Sequence, residues 1–344
     1  MRKRARGIGL LSGGLDSALS CLVLRDAGAD VECLHFFTGF CITAHNSKVG
    51  RTNRETTNGV LRVAAEIDVP LDFIDISGEY FPMVLNPKHG YGRNMNPCVD
   101  CRVLMLRRAR ERMEALGADF VFTGEVIGQR LKSQVKRALF EIEKDAGLEG
   151  KLLRPLCAKL LPPTEVETSG LVDRQKLHGF TGRGRRQQIA LAAHYGLKTY
   201  MQPSGGCCFL TDRAYSRKFR DAIEHQGGRP LGPDDVLVFG VGRHFRLSPE
   251  LRVVVGRDEA ENDFLSRRAS GGHWVASVIG FTGPKAIVLG EVADAEWVSI
   301  GSIVARYSDA RSEGSVEVEF VRNGELRRVV TAPAPEEFIN AHRI

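Results

Sequence analysis

Apolar and polar positions in the first 124 residues alternate between two periods. Short apolar runs at 7–11, 31–37, 71–76 and 119–122 have the length of buried strands. Between them, 16–27, 52–67 and 101–116 carry apolar residues three and four apart. Examples are Val60, Val63, Ala64 and Ile67, and then Val103, Leu106, Ala109, Met113 and Leu116, a spacing that predicts helices. Gly28 and Gly117 stand where a helix C-cap would stand. Alternating strands and helices predict an α/β fold with a parallel, Rossmann-like sheet covered on both faces. Such sheets bind ligands beyond the carboxyl ends of their strands.

Downstream, 164–186 is polar and rich in Gly, Arg and Thr, and is expected to be a mobile loop. A helix is predicted over 187–195 and a strand over 197–201. The run His225-Gln-Gly-Gly-Arg-Pro-Leu-Gly-Pro233 is the best boundary signal. Beyond it, strand-like runs appear at 236–241, 251–255, 274–279 and 286–292. Two more, at 316–321 and 326–330, flank the hairpin turn Arg322-Asn-Gly-Glu325. The expected domains are therefore 1–225, and 232–344 as a smaller, mostly β (α+β) domain.

Composition narrows the classes. With 43% hydrophobic and 26% charged residues, the 344-residue chain is neither disordered nor fibrous. Eight cysteines are too few for a disulfide framework and point to a reducing compartment. The basic N-terminus followed by Ile8 to Leu11 mimics a signal peptide, but Ser12-Gly-Gly-Leu-Asp-Ser17 interrupts it. No run of 18 apolar residues exists. A cytoplasmic protein without a membrane span is expected; its oligomeric state is not readable. The net charge of +6 mildly favours a polyanionic partner.

Ser12-Gly13-Gly14-Leu15-Asp16-Ser17 joins the first strand to the first helix. Glycines let the backbone turn and approach a ligand, and the helix start offers free N–H groups to phosphate. The Gly-Lys-Ser/Thr of the common P-loop is missing, which disfavours γ-phosphate transfer. All six positions match the signature of the PP-loop (N-type) ATP pyrophosphatase superfamily, which the sequence resembles. Its members adenylate a substrate oxygen and release pyrophosphate. The resemblance implies that Ser12, Gly13, Gly14 and Ser17 hold the pyrophosphate of ATP and that Asp16 helps to place Mg2+. It also puts Phe36 and Gly124 near adenine and ribose.

Asn96-Pro-Cys98-Val-Asp-Cys101 opens the helix to Leu116, where the helix field acidifies thiols. A second group, Gly205-Gly-Cys-Cys208-Phe209, comes far later on a glycine-rich turn. Read alone, a Cys-x-x-Cys fits a redox pair, half a zinc site or part of an iron–sulfur site. With the phosphate loop, Asn-Pro-x-x-x-Cys and the later Cys-Phe resemble the tRNA thiouridine synthases, in which two cysteines transfer sulfur. Cys101 and Cys208 take those places. Leu153-Arg-Pro-Leu156 and the run from Gln187 to Tyr200 extend the resemblance to roughly residues 7–212. The usual bacterial enzyme has Asp where this chain has Cys98. A third thiol resembles the iron–sulfur-dependent thiolases, and implies Cys98, Cys101 and Cys208 as ligands of a [4Fe-4S] cluster. Cluster-free persulfide chemistry by Cys101 and Cys208 is the competing expectation, and Cys207 can stand in for Cys208. Cys21, Cys33, Cys41 and Cys157 are expected to be structural.

Basic residues gather between Arg102 and Arg137 and in the loop 174–186. Arg130, Lys132 and Arg183 are the candidate RNA contacts there, beside the end of the fourth strand, where a flipped base can enter. Val255-Gly-Arg-Asp-Glu-Ala-Glu-Asn-Asp-Phe-Leu265 resembles the NFACT RNA-binding domain and implies a tRNA-binding role for Arg257 and Asn262. The expected activity is ATP-dependent tRNA thiolation, fed by sulfide or a persulfide-carrying protein. Lacking a THUMP-like domain ahead of the loop, the chain is expected to make 2-thiouridine rather than 4-thiouridine. An amide-forming PP-loop ligase that does not act on RNA is the alternative from another class.

Overall fold

The computed structural model describes residues 4–41, 59–201, 208–225, 231–268 and 272–344. The chain divides into two compact units between Thr211 and Asp212. The first contains β1 (Arg6–Leu10), α1 (Leu15–Asp26), β2 (Asp30–Phe37), α2 (Gly59–Glu66), β3 (Leu71–Asp75), α3 (Ser77–Leu85) and α4 (Cys98–Leu116). It continues with β4 (Phe120–Phe122), α5 (Lys136–Ala146), β5 (Leu152–Leu153), α6 (Glu165–Thr168) and α7 (Arg186–His194). The strands are parallel in the order β3-β2-β1-β4-β5.

Strand order reverses between β1 and β4, and the crevice at that reversal is where such sheets bind ligands. The phosphate loop leaves the end of β1, and Gly124 lies just past the end of β4. Helix α4 turns into β4 through Gly117, which has a φ of 59°. The helix therefore runs back against the strands and starts at their carboxyl edge. Cys98 and Cys101 occupy that first turn.

Two sequence expectations fail in this unit. Residues 197–201 do not form a strand: Met201 makes a single bridge to Gly14, and Glu66 accepts hydrogen bonds from the N–H groups of Lys198 and Thr199. The segment 164–186 is pinned rather than loose. Thr164 and Glu167 form a capping box, and Arg174 binds Glu167 and the carbonyls of Ala158 and Leu161. The predicted helix over 52–67 is seen as α2; its first part lies outside the described residues.

The second unit contains α8 (Arg213–Glu224), α9 (Pro233–Phe239), β6 (Arg243–Arg246), β7 (Arg252–Val255), α10 (Glu259–Arg268), β8 (Trp274–Val278) and β9 (Ala286–Leu289). It ends with α11 (Glu296–Arg306), β10 (Val316–Arg322), β11 (Glu325–Thr331) and α12 (Glu336–His342). Its antiparallel sheet has the order β11-β10-β8-β9-β7-β6. Alternation along β7 feeds two cores: Val253 and Val255 pack with α11 and α12 residues, Val254 with Phe264 and Leu265 of α10. The hairpin turns at Asn323 and Gly324 with φ of 48° and 87°, as the Asn-Gly pair requires. The run 236–241, read as a strand, is mostly helix α9. A short apolar run has no period of its own, and the N–H of Gly232 donates to the Asp235 carboxylate at 2.9 Å to start a helix. Helix α8, placed with the first domain by the sequence, belongs to this unit: the Tyr215 hydroxyl donates to Val236 O at 2.9 Å.

Lys218 on α8 is buried and donates to the carbonyls of Phe239 and Gly242. Burial, and then Arg257 nearby, pull its pKa from 10.5 to about 8. From about pH 8 to 10.5 the unfolded chain therefore holds a proton that the folded chain has released. Unfolding free energy should rise with pH across that window, by about 3 kcal/mol. The chain's two tryptophans, Trp274 and Trp297, both lie in this unit. Their fluorescence in urea titrations should show the rise in the wild type and a flat response in Lys218→Met.

Candidate functional site

The phosphate loop folds on itself through its serines. Ser17 Oγ donates to Gly14 O at 2.9 Å and receives the Ser12 N–H at 3.3 Å. Gly13 has a φ of 77°, and its carbonyl accepts the Met201 N–H at 2.8 Å. A Cβ on Gly13 would fall 2.8 Å from the Met201 sulfur. Gly124 lies even closer: its Cβ would sit 2.6 Å from the backbone of Asp16 and Ser17. Backbone cannot yield as a flexible side chain can. Gly124→Ala should therefore shift the helix start and weaken ATP binding about a hundredfold. Calorimetric titration with ATP checks this, and wild-type affinity would contradict it.

Asp16 is held by Gln129, whose Nε2 donates to Oδ2 at 2.9 Å. Its Oδ1 is buried and has no hydrogen-bond partner among the described residues. Burial raises the Asp16 pKa, while Gln129 and the charges of Arg185 and Arg130 oppose the rise. An unpaired oxygen beside a phosphate cradle fits a hard cation such as Mg2+. Phe36 is buried at the end of β2.

The cysteines lie on the same edge of the sheet. The Cys98 thiol donates to Ser133 Oγ at 3.2 Å, and both Cys98 and Cys101 are partly exposed. Cys208 is buried and its thiol points at Asn96 Oδ1, 3.8 Å away. Neighbouring bonds hold that approach: Met95 N–H to Leu210 O at 3.1 Å, and Asn94 Nδ2 to Thr211 O at 2.7 Å. Cys208 thus meets the residue two places before Cys98. The same segment is tied to Gly13 at Met201, and seven residue steps allow at most ~25 Å between Met201 and Cys208. Cys207 lies outside the described residues. Among the described residues no three His, Cys, Asp or Glu side chains gather as a metal site. Thiolate chemistry suits an iron–sulfur cluster, but the side chains as placed do not form its cage. Cys21, Cys33 and Cys157 are buried, and burial pushes the Cys157 thiol up to about 11.

A buried charge network, invisible in the sequence, ties these parts together. Arg154 of the Leu-Arg-Pro-Leu run bonds Glu125 at 3.3 Å, Glu143 at 2.8 Å and Leu139 O at 3.0 Å. Glu125, next to Gly124, also faces Arg102 at 3.6 Å, the neighbour of Cys101. His89 was also missed by the sequence reading. It bonds Asp100 through both its backbone N–H and Nδ1, at 3.1 and 3.0 Å, fastening the loop ahead of α4 to its first turn.

Of the candidate RNA contacts, Arg130 and Arg183 are exposed, and Lys132 donates to Gly90 O at 3.3 Å. Arg257 and Asn262 are engaged inside the second unit. Arg257 grips the buried Glu261, and Asn262 Oδ1 accepts the Lys285 N–H at 3.0 Å.

Known proteins match both units. Residues 6–147 match the family model described as the tRNA methyl transferase HUP domain, and 242–343 that of the NFACT protein RNA binding domain. The chain is 26% identical over 269 residues to the tRNA-specific 2-thiouridylase MnmA of Listeria monocytogenes serotype 4b (strain CLIP80459), covering 73% of this chain and 68% of that protein. The enzyme of that name from Geotalea uraniireducens (strain Rf4) is 26% identical over 289 residues, covering 76% and 72%. Among solved structures, a 4-thiouridine synthetase–RNA complex with bound ATP aligns with a TM-score of 0.37 and 21% identity, over 56% of this chain and 41% of that one. The first unit is thus similar to the tRNA methyl transferase HUP domain and to 2-thiouridylases, and the second to the NFACT protein RNA binding domain.

Proposed function

We propose that the protein is an ATP-dependent tRNA sulfurtransferase. The observation that carries this reading is the segment ending at Cys208, bonded at Met201 to the phosphate loop and at Cys208 to the loop before Cys98. The uridine carbonyl oxygen attacks the α-phosphate of ATP, and pyrophosphate leaves into the cradle of Ser12, Gly13, Gly14 and Ser17. Mg2+, held with Asp16, would neutralise the phosphate charge. The adenylated carbon now carries AMP, a good leaving group. A persulfide on one cysteine, loaded by a persulfide-carrying protein, attacks that carbon and displaces AMP. The thiolate of the second cysteine then breaks the S–S bond, which leaves the thiocarbonyl and a Cys101–Cys208 disulfide for an external thiol to reduce. The names of the relatives favour 2-thiouridine as the product.

A second reading rests on Cys98, which shares a helical turn with Cys101: the three thiols would hold a [4Fe-4S] cluster. No step above passes through it. Anaerobic purification with iron and sulfide analysis separates the readings. About four irons per chain, lost in Cys98→Ser, would establish the cluster.

RNA contacts in the second unit fall better on exposed arginines than on the internally paired Arg257. The exposed Arg217, Arg220 and Arg343 line an open polar cleft of about 400 Å³, with Asp221 and Glu224 as its acids; Arg246, also in its lining, is paired with Asp221. The test of the whole reading is nucleoside mass spectrometry of tRNA incubated with the protein, MgATP and a persulfide donor. Thiouridine should appear only with ATP; its absence with every donor would refute the reading.

A further inference from the structure

One short loop touches both halves of the site. Gln129 Nε2 bonds Asp16 at the nucleotide end, and four residues later Ser133 Oγ receives the Cys98 thiol. The loop is closed by its own backbone: Gly128 N–H donates to Gln134 O at 2.7 Å, and Gln134 N–H to Arg130 O at 3.0 Å. It is also anchored from outside, because Ile127 O accepts both the Gly182 N–H at 2.8 Å and the Thr181 hydroxyl at 3.1 Å. Ser133 and Gln134 are 1% and 4% exposed, so this stretch cannot swing freely in solvent. Four residue steps, even fully extended, limit the separation of Gln129 and Ser133 to ~14 Å.

We propose that Gln129 and Ser133 form a positioning strap that fixes the Cys98 sulfur relative to the Asp16 end of the nucleotide site. Ser133 suits the part chemically. A hydroxyl accepts from a thiol and, after rotation, donates to a thiolate, so it keeps the sulfur in place in either state. It is a positioning residue; it makes no bond to substrate. Neither Gln129 nor Ser133 belongs to the six-residue phosphate loop or to the cysteine set. The reaction proposed above works through Cys101 and Cys208; the inference rests on that reading and adds that Cys98, in the same helical turn as Cys101, also serves its sulfur half.

The experiment measures tRNA-dependent pyrophosphate release and thiouridine formation side by side, in wild type, Ser133→Ala, Ser133→Thr and Cys98→Ser. Ser133→Ala should release pyrophosphate within about twofold of wild type while thiolation falls about a hundredfold, the usual cost of a misplaced reacting group. Ser133→Thr, which keeps the Oγ, should thiolate within about threefold of wild type. Equal losses of both steps in Ser133→Ala would mean a merely structural role and overturn the strap. Wild-type thiolation by Ser133→Ala, or a Ser133→Thr as defective as Ser133→Ala, would overturn it as well. Cys98→Ser separates this failure from a wider one: if that variant thiolates normally, the sulfur role of Cys98 is wrong and the strap falls with it.

Discussion

Cys101→Ser and Cys208→Ser should each abolish thiouridine formation while ATP binding stays at the wild-type level. The separation follows from the layout. On the proposed function the nucleotide would be held by Ser12, Gly13, Gly14 and Ser17, where Gly124 comes close to the backbone of Asp16. The sulfur side depends on the first turn of α4 and on the Cys208 segment, which meets it at Asn96. A serine hydroxyl preserves size and hydrogen bonding but is a far poorer nucleophile at neutral pH and cannot carry a sulfane sulfur. The loss should exceed about a thousandfold, because covalent catalysis has no substitute route in the site. Pyrophosphate release should survive in both variants. Thiolation retained in both would remove the cysteines from the mechanism.

The second large effect is on stability. Arg154 has a side chain only 1% exposed and Glu125 one only 2% exposed. Such a pair is weak evidence of net stabilisation, since desolvation offsets the attraction. Breaking it is another matter, because Arg154→Met takes the guanidinium away from both Glu125 and Glu143 and leaves their carboxylates in a largely dry interior. The expected loss is about 3–5 kcal/mol, or roughly 10 °C in the melting of the first unit. Adding Glu125→Gln should recover part of it. Calorimetric scans check both, and an Arg154→Met protein that melts within a degree of wild type would refute the network's importance. The same variant should impair thiolation, since the network joins Gly124 at the end of β4 to Arg102 beside Cys101.

What the sequence made legible was whatever rests on local pattern. Four of the five strands of the parallel sheet, the glycine turn of the phosphate loop, the long helix behind the cysteines and the Asn-Gly hairpin each follow from a few adjacent residues, whereas the two-residue β5 is too short to leave a pattern. The misreadings arose where tertiary partners decide. An apolar run at 236–241 became mostly helix because Asp235 binds Gly232 and because Tyr215 and Lys218 of α8 take up its carbonyls. The segment 197–201 lacks a strand because β5, not this run, occupies the sheet position beside β4. Loop 164–186 was read from composition as loose, although its Thr-x-x-Glu start already spells a capping box. Within the site, the phosphate loop and the cysteines were visible as motifs. Gln129, Ser133, Glu125, Arg154 and His89 were not, since each acquires its meaning from a partner far away in the chain. Arg257 and Asn262 show the reverse: residues picked by resemblance whose side chains the fold engages internally.

The central claim is that two distant stretches of chain meet, so that Cys208 stands beside the first turn of α4 and near the phosphate loop. Thiol trapping measures this most directly. In a protein whose Cys21, Cys33, Cys41, Cys157 and Cys207 are replaced, mild oxidation followed by peptide mass spectrometry should recover Cys208 joined to Cys101 or Cys98, with ATP binding intact. Recovery of Cys208 as a free thiol under conditions that oxidise a Cys98–Cys101 pair would contradict the account.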